Sequence, residues 1–216
     1  MPALNVASTP VEVAARYILE KFSRKKIYTS LPYFKENYLL LQDKMGFSLD
    51  INRRQMPVIE PKDMVAFKNK IKSGHIDIFK PFAKTHLWPE EFKSGRGQGW
   101  LTLGLKDGQI SDDVLKAELI SVPAIDLKPI QKQIWLSEIV RGMLSFGVPT
   151  ASSKILDAPI IISSEYYIID GHHRWAQVMV SNPDLEMQCL YVPLNILTLM
   201  NMTKTYGRAI GNEPNW

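Results

Sequence analysis

The chain is poor in the residues that staple or metallate a small protein. Its 216 residues hold one cysteine, Cys189, and four histidines. One thiol cannot form an internal disulfide, and its apolar neighbours Leu190 and Tyr191 suit a reduced core side chain rather than a nucleophile. Adjacent His172 and His173 cannot easily face a single ion, so no zinc site is expected. No apolar run approaches the roughly 20 residues that span a bilayer, and no membrane association is expected. Met1 to Pro10 shows neither a basic start nor an apolar h-region, so the expected location is the cytoplasm. Internal repeats and low-complexity tracts are also missing.

What remains is a chain of ordinary apolar content with uneven charge. Residues 1–117 hold 19 lysines and arginines against 13 acids, and residues 118–216 hold 7 against 9. The first part is therefore +6 and the second −2, within a formal net charge of +4. A basic first half beside a near-neutral second half points any polyanion, DNA included, to the first half. Arg53, Arg54 and Arg96 are the nucleic-acid candidates there. An unremarkable lysine-rich surface is the alternative.

Periodicity predicts a mainly helical first half. Thr9-Pro10-Val11-Glu12 has the form of a capping box with proline at the first helical position. Val11, Ala14, Ala15, Ile18, Leu19 and Phe22 follow at helical spacing. Arg24-Lys25-Lys26 reads as a solvated helix end, where cations suit the dipole. A second helix is expected from Pro32 to Lys44, stopped by Gly46, and a third from Pro61 to Ile71, closed by Ser73-Gly74. Ser48 to Ile59 looks extended. Between Phe79 and Gly108, Gly95 to Gly99 reads as a mobile surface loop and Trp100 to Leu105 as a strand entering the Asp107-Gly108 turn.

The second half alternates strand and helix. Leu119 to Leu127 is expected as a strand, Lys128 to Gln133 as a turn, and Ile134 to Leu144 as a helix. Pro149 to Asp157 reads as a loop carrying Lys154. Ile160 to Ser163 and Tyr166 to Ile169 form a hairpin, Met187 to Val192 a last strand, and Leu194 to Tyr206 a helix with Leu197, Leu199 and Met200 as its apolar stripe.

Chemistry concentrates where the second hairpin strand ends. Asp170-Gly171-His172-His173-Arg174 runs from a strand through glycine into a helix start. Such a start carries unpaired amides and a partial positive charge, and glycine lets a phosphate approach the backbone. His172, His173 and Arg174 add donors, Arg174 being able to grip two oxygens at once. The bland alternatives are Asp170 as a helix N-cap, Gly171 as a turn residue and Arg174 as a surface charge.

This motif resembles the phosphate-binding motif of the ParB/sulfiredoxin superfamily. Partition ParB proteins carry a Gly-x-Arg-Arg version, sulfiredoxin a Gly-Cys-His-Arg version, and free serine kinases the Asp-Gly-His-His-Arg spelling itself. Ile120 to Gln131 is similar to the family's opening strand and Pro-x-Gln segment. Ala158-Pro159-Ile160-Ile161-Ile162 is similar to its strand before the hairpin. The resemblance covers residues of about 118 to 193 and leaves the first half untouched.

The resemblance implies an α+β fold, a small mixed sheet with flanking helices, over 118–216, preceded by a mainly helical region over 1–117. It implies nucleotide phosphates (ATP, ADP or CTP) on Gly171, His172, His173 and Arg174, with Gln131 and Lys132 nearby. Asp170 and His172 become the catalytic candidates, with Asp170 orienting a nucleophile or holding Mg²⁺. His172 would charge as phosphate raised its pKa. The leading expectation is a ParB-like NTP hydrolase or nuclease working on or with DNA. The alternatives are a small-molecule hydroxyl kinase and a nucleotide-sensing module without turnover; a homodimer is compatible with either. The kinases carry a catalytic glutamate where this chain has Gln131, which cannot act as a base.

Overall fold

In the computed structural model, residues 4–26, 31–78 and 109–212 are described. The 79–108 segment, with its expected glycine loop, strand and Arg96, lies outside them. The described residues form seven helices: α1 (Val11–Arg24), α2 (Phe34–Met45), α3 (Met64–Lys72), α4 (Ile110–Asp113), α5 (Leu136–Phe146), α6 (His172–Ser181) and α7 (Ile196–Ala209). The strands are β1 (Glu118–Pro123), β2 (Lys128–Pro129), β3 (Ile160–Ile162), β4 (Tyr167–Asp170) and β5 (Glu186–Tyr191). They make one mixed sheet in the order β1-β5-β3-β4-β2. This is an α+β protein, and none of the described helices is long and apolar enough to cross a membrane.

Two compact units divide the chain. The first comprises residues 1–52, 121–158 and 171–188. Its centre is α6, which packs against α2 and α5, while α1 packs against α2 and α5. Trp175, Ala176, Val178, Met179 and Val180 are all buried on α6, so this helix is covered nearly all round rather than along one stripe. Trp175 donates from its indole nitrogen to the Ala124 carbonyl at 2.8 Å, which satisfies the polar end of a fully buried ring. The α5–α6 crossing is close enough that a methyl on Gly142 would overlap the Gln177 amide, so glycine there permits the approach.

Extended segments tie this unit together. Val6 N–H donates to Ile134 O at 2.9 Å and Leu136 N–H to Leu4 O at 2.8 Å. Ile51 N–H donates to Ile130 O at 3.1 Å, and Lys132 N–H returns to Ile51 O at 2.8 Å. The expected capping box at α1 does not form. Pro10 takes the N-cap position without a side-chain cap, and Thr9 instead donates to the Asn5 carbonyl at 2.7 Å. The α1 core face is Ala14, Ile18 and Phe22, with Leu19 turned outward.

The second unit comprises residues 53–120, 159–170 and 189–216. β3 pairs antiparallel with β4 (Ile161 opposite Asp170, Ile162 opposite Ile168, with a bulge between) and parallel with the Cys189–Tyr191 end of β5. The expected hairpin is therefore present. Three consecutive isoleucines, all buried, make β3 a strand covered on both faces. The Glu165 carboxylate accepts from Ile196 N–H at 2.9 Å at the start of α7. Phe67 meets Tyr206 with ring centroids 5.0 Å apart. Leu197 faces outward, and the buried side of α7 is Leu199, Met202 and Tyr206. The expected extended run from Ser48 is broken by a 3₁₀ turn at Arg53–Gln55.

Candidate functional site

β4 ends at Asp170, and the next residue turns the chain into α6. Gly171 sits at φ 98°, in the left-handed region where a Cβ is strained by about 1–2 kcal/mol. It occupies the N-cap position, offers no side-chain cap, and no acid follows in the first turn. The cation Arg174 stands there instead, beside His172 and His173, against the direction the helix dipole favours for a cation. The sequence thus concentrates positive potential at the α6 start.

The two imidazoles are both engaged by the segment that follows β2. His172 is only 3 % exposed, and its Nε2 accepts from the backbone N–H of Ile130 at 3.1 Å and of Gln131 at 3.4 Å. Two amide donors at one nitrogen leave the ring proton on Nδ1. Burial, with the neighbouring His173 adding to it, pushes the His172 pKa down to about 3. The ring is neutral at physiological pH and works as an acceptor, in contrast to the charged donor expected from the motif. His173 is half-buried, and its Nε2 accepts from Trp135 N–H at 3.2 Å. Adjacent histidines on the first turn thereby grip the two ends of the 130–135 segment.

Gln131 is buried, and its side-chain amide donates to Gln133 O at 2.5 Å. Lys132 is exposed, with its ammonium 3.8 Å from the Asp50 carboxylate. Arg53 is exposed in the 3₁₀ turn, which also contains Arg54.

Arg174 has a different setting. Its Nη1 donates to the Ala158 carbonyl at 2.7 Å, which fixes the guanidinium plane. The side chain lines a cavity of about 420 Å³ together with Lys154, Ser153, Ile155, Phe146 and Gln177. Ser153 is held by a turn in which its hydroxyl accepts from Thr150 N–H at 2.8 Å, and this aims the following Lys154 from the 150–157 loop. Two cations and a hydroxyl, together with an aromatic and an aliphatic side chain, suit an anion that carries a flat or apolar group. Phe146 is 83 % exposed, the most exposed large apolar side chain among the described residues. Sequence reading marked Lys154 but passed over Phe146, Ser153 and Gln177. Phe146 closes a helix ahead of Gly147 and looks there like a C-terminal residue only.

Among the described residues, no group of three or more His, Cys, Asp or Glu side chains converges on one point. Magnesium commonly binds through one or two carboxylates and the substrate's phosphates, so the single carboxylate of Asp170 is consistent with that mode. Comparison of the chain with models of protein families, with curated proteins and with solved structures gives no match.

Proposed function

We propose that this is a nucleotide-binding protein of ParB/sulfiredoxin-like fold, holding a di- or triphosphate at the Arg174–Lys154 cavity and carrying out phosphoryl chemistry on or with DNA. The observation that carries the reading is the convergence of Arg174 and Lys154 on one cavity of nucleotide size. Arg174 would fork onto two phosphate oxygens while Lys154 neutralises a third as a point charge. The positive end of α6 adds to both.

Phosphoryl transfer consists largely of positioning and charge neutralisation. In this reading His172 and His173 position rather than react: they fix the 130–135 segment, and His172 carries no charge to offer at neutral pH. Asp170, one residue before the glycine and outside the cavity lining, stays the motif's candidate for orienting a nucleophile or binding Mg²⁺. Magnesium, when bound, would neutralise charge developing on the transferred group. The hydroxyl-kinase alternative would need a base other than Gln131, an amide whose nitrogen donates to Gln133 O.

A panel of ATP, ADP, CTP and GTP with Mg²⁺, followed for binding by calorimetry and for product, tests the proposal. Arg174→Ala should weaken binding at least about tenfold, about 1.4 kcal/mol. Asp170→Asn should retain binding and lose turnover. Unchanged titration of Arg174→Ala removes the site. Serine-dependent consumption of ADP would replace hydrolysis with kinase chemistry.

A further inference from the structure

We propose that the groove between α1 and α5 is a nucleic-acid backbone site. It is a cavity of about 560 Å³ within the first unit, walled by Tyr17, Lys21, Lys25, Ser137, Arg141 and Ser145. Val140 and Leu144 form its apolar floor. Six of these eight residues carry N–H or O–H donors, and none is a carboxylate. Lysine, arginine, serine and tyrosine are the side chains that contact phosphates in nucleic-acid complexes. The donor set therefore selects an anion with many oxygen acceptors.

The groove arises from two helices placing cations on facing sides. Lys21 on α1 and Lys25 at its C-cap are four residues apart, about one helical turn, so they lie on one side. Lys21 Nζ lies 5.3 Å from the Tyr17 ring centroid, which pairs a cation with an aromatic face inside the groove. On α5, Ser137, Arg141 and Ser145 repeat at intervals of four, a polar stripe beside the buried Leu136, Ile139, Val140 and Met143. Acids nearby take part of the charge. Glu138 pairs with Arg141, and Glu20 pairs with Arg24, while the two groove lysines have no carboxylate on the groove wall.

A polymer fits better than a small anion because the cations continue past the cavity. Lys25 at the groove and Lys26 beyond it are exposed at the end of α1, next to Arg24 in its pair with Glu20, so the groove opens onto further basic side chains rather than closing around one ligand. A strand with a charge at every nucleotide would occupy both, with Tyr17 available to stack a base. The inference rests on the DNA part of the proposed function and is independent of the Arg174 cavity. It places the contact on α1 and α5, not at Arg53 or Arg54.

The test is fluorescence anisotropy of a labelled single-stranded DNA and of the matching RNA, with the full chain, across a salt series. Phosphate-backbone contact predicts that both are bound. The variant Lys21→Gln/Lys25→Gln/Arg141→Gln should lose affinity at least about tenfold at fixed salt, and its salt slope should flatten by about 2–3. Its melting temperature and its ATP binding should match the parent, since none of the three lines the Arg174 cavity and the Arg141–Glu138 pair that is lost is a surface one. Lys21→Arg/Lys25→Arg should bind as the parent does. A control of equal charge loss on α3, Lys68→Gln/Lys70→Gln/Lys72→Gln, should bind as the parent does. Equal losses in the two triple variants would overturn the groove in favour of net charge alone, leaving DNA binding in place. A parent that ignores both oligonucleotides but binds phosphatidylserine vesicles would overturn the groove and the DNA part together, and the nucleotide site would be unaffected.

Discussion

Protonating His172 should unfold this protein from within. The neutral ring accepts two buried amide protons, from Ile130 and Gln131. An imidazolium has no acceptor, so charging it would strand both amides and bury a cation. An unfolded histidine takes its proton near 6.5, whereas the folded one is held down to about 3. Between those values the unfolded chain binds one more proton than the folded chain. The stability from this residue is therefore complete above pH 6.5 and falls as pH drops toward 3. The slope is about 1.4 kcal/mol per pH unit, with a ceiling of about 5 kcal/mol over the whole window. That ceiling is comparable to the lower range of total stability for a domain, about 5–15 kcal/mol. Urea melts of the parent and of His172→Gln, stepped down from pH 7, isolate the effect. Glutamine keeps an acceptor oxygen but does not titrate. It should be less stable at neutral pH through imperfect packing, yet lose stability more slowly with acid by about 1.4 kcal/mol per unit. Parallel slopes for the two proteins would refute the assignment of His172 as a buried neutral acceptor.

Two further outcomes are expected. Gly142→Ala should displace the Gln177 amide, the movable end of a flexible side chain, and change the stability of the first unit by no more than about 1 kcal/mol, since alanine favours the helix; a larger loss in thermal melts would contradict a clash confined to that amide. Phe146→Ala should weaken ATP binding by about 1–2 kcal/mol through loss of base stacking while leaving inorganic tripolyphosphate binding unchanged; equal losses for both ligands, compared by calorimetry, would show that no base lies on that ring.

Local signals decided the elements. Apolar spacing placed α1, α2, α5 and α6 to within a few residues, and the isoleucine run with the Asp-Gly step placed β3, β4 and the turn at Gly171, because each is set by side chains close in the chain. Caps were less secure. Thr9 had the right neighbours for a capping box, but a carbonyl four residues back, at Asn5, took its hydroxyl. The glycine-to-Arg174 motif was visible as a cluster of donors, yet the state of each donor was not.

What the sequence alone determined is the type of the main helices and of the β3–β4 hairpin, and the concentration of histidine and arginine at one helix start. Tertiary structure decided what those side chains do. His172 reads as a cation in sequence and becomes a neutral acceptor because residues 130 and 131, some forty positions away, deliver two amides to it where it is buried. Arg174 acquires Lys154 and Phe146 as cavity neighbours in the same way, through a loop and a helix end that periodicity treats as unrelated. Secondary structure follows from interactions within a few residues, whereas protonation and pocket shape follow from burial and long-range contact, which spacing along the chain does not encode.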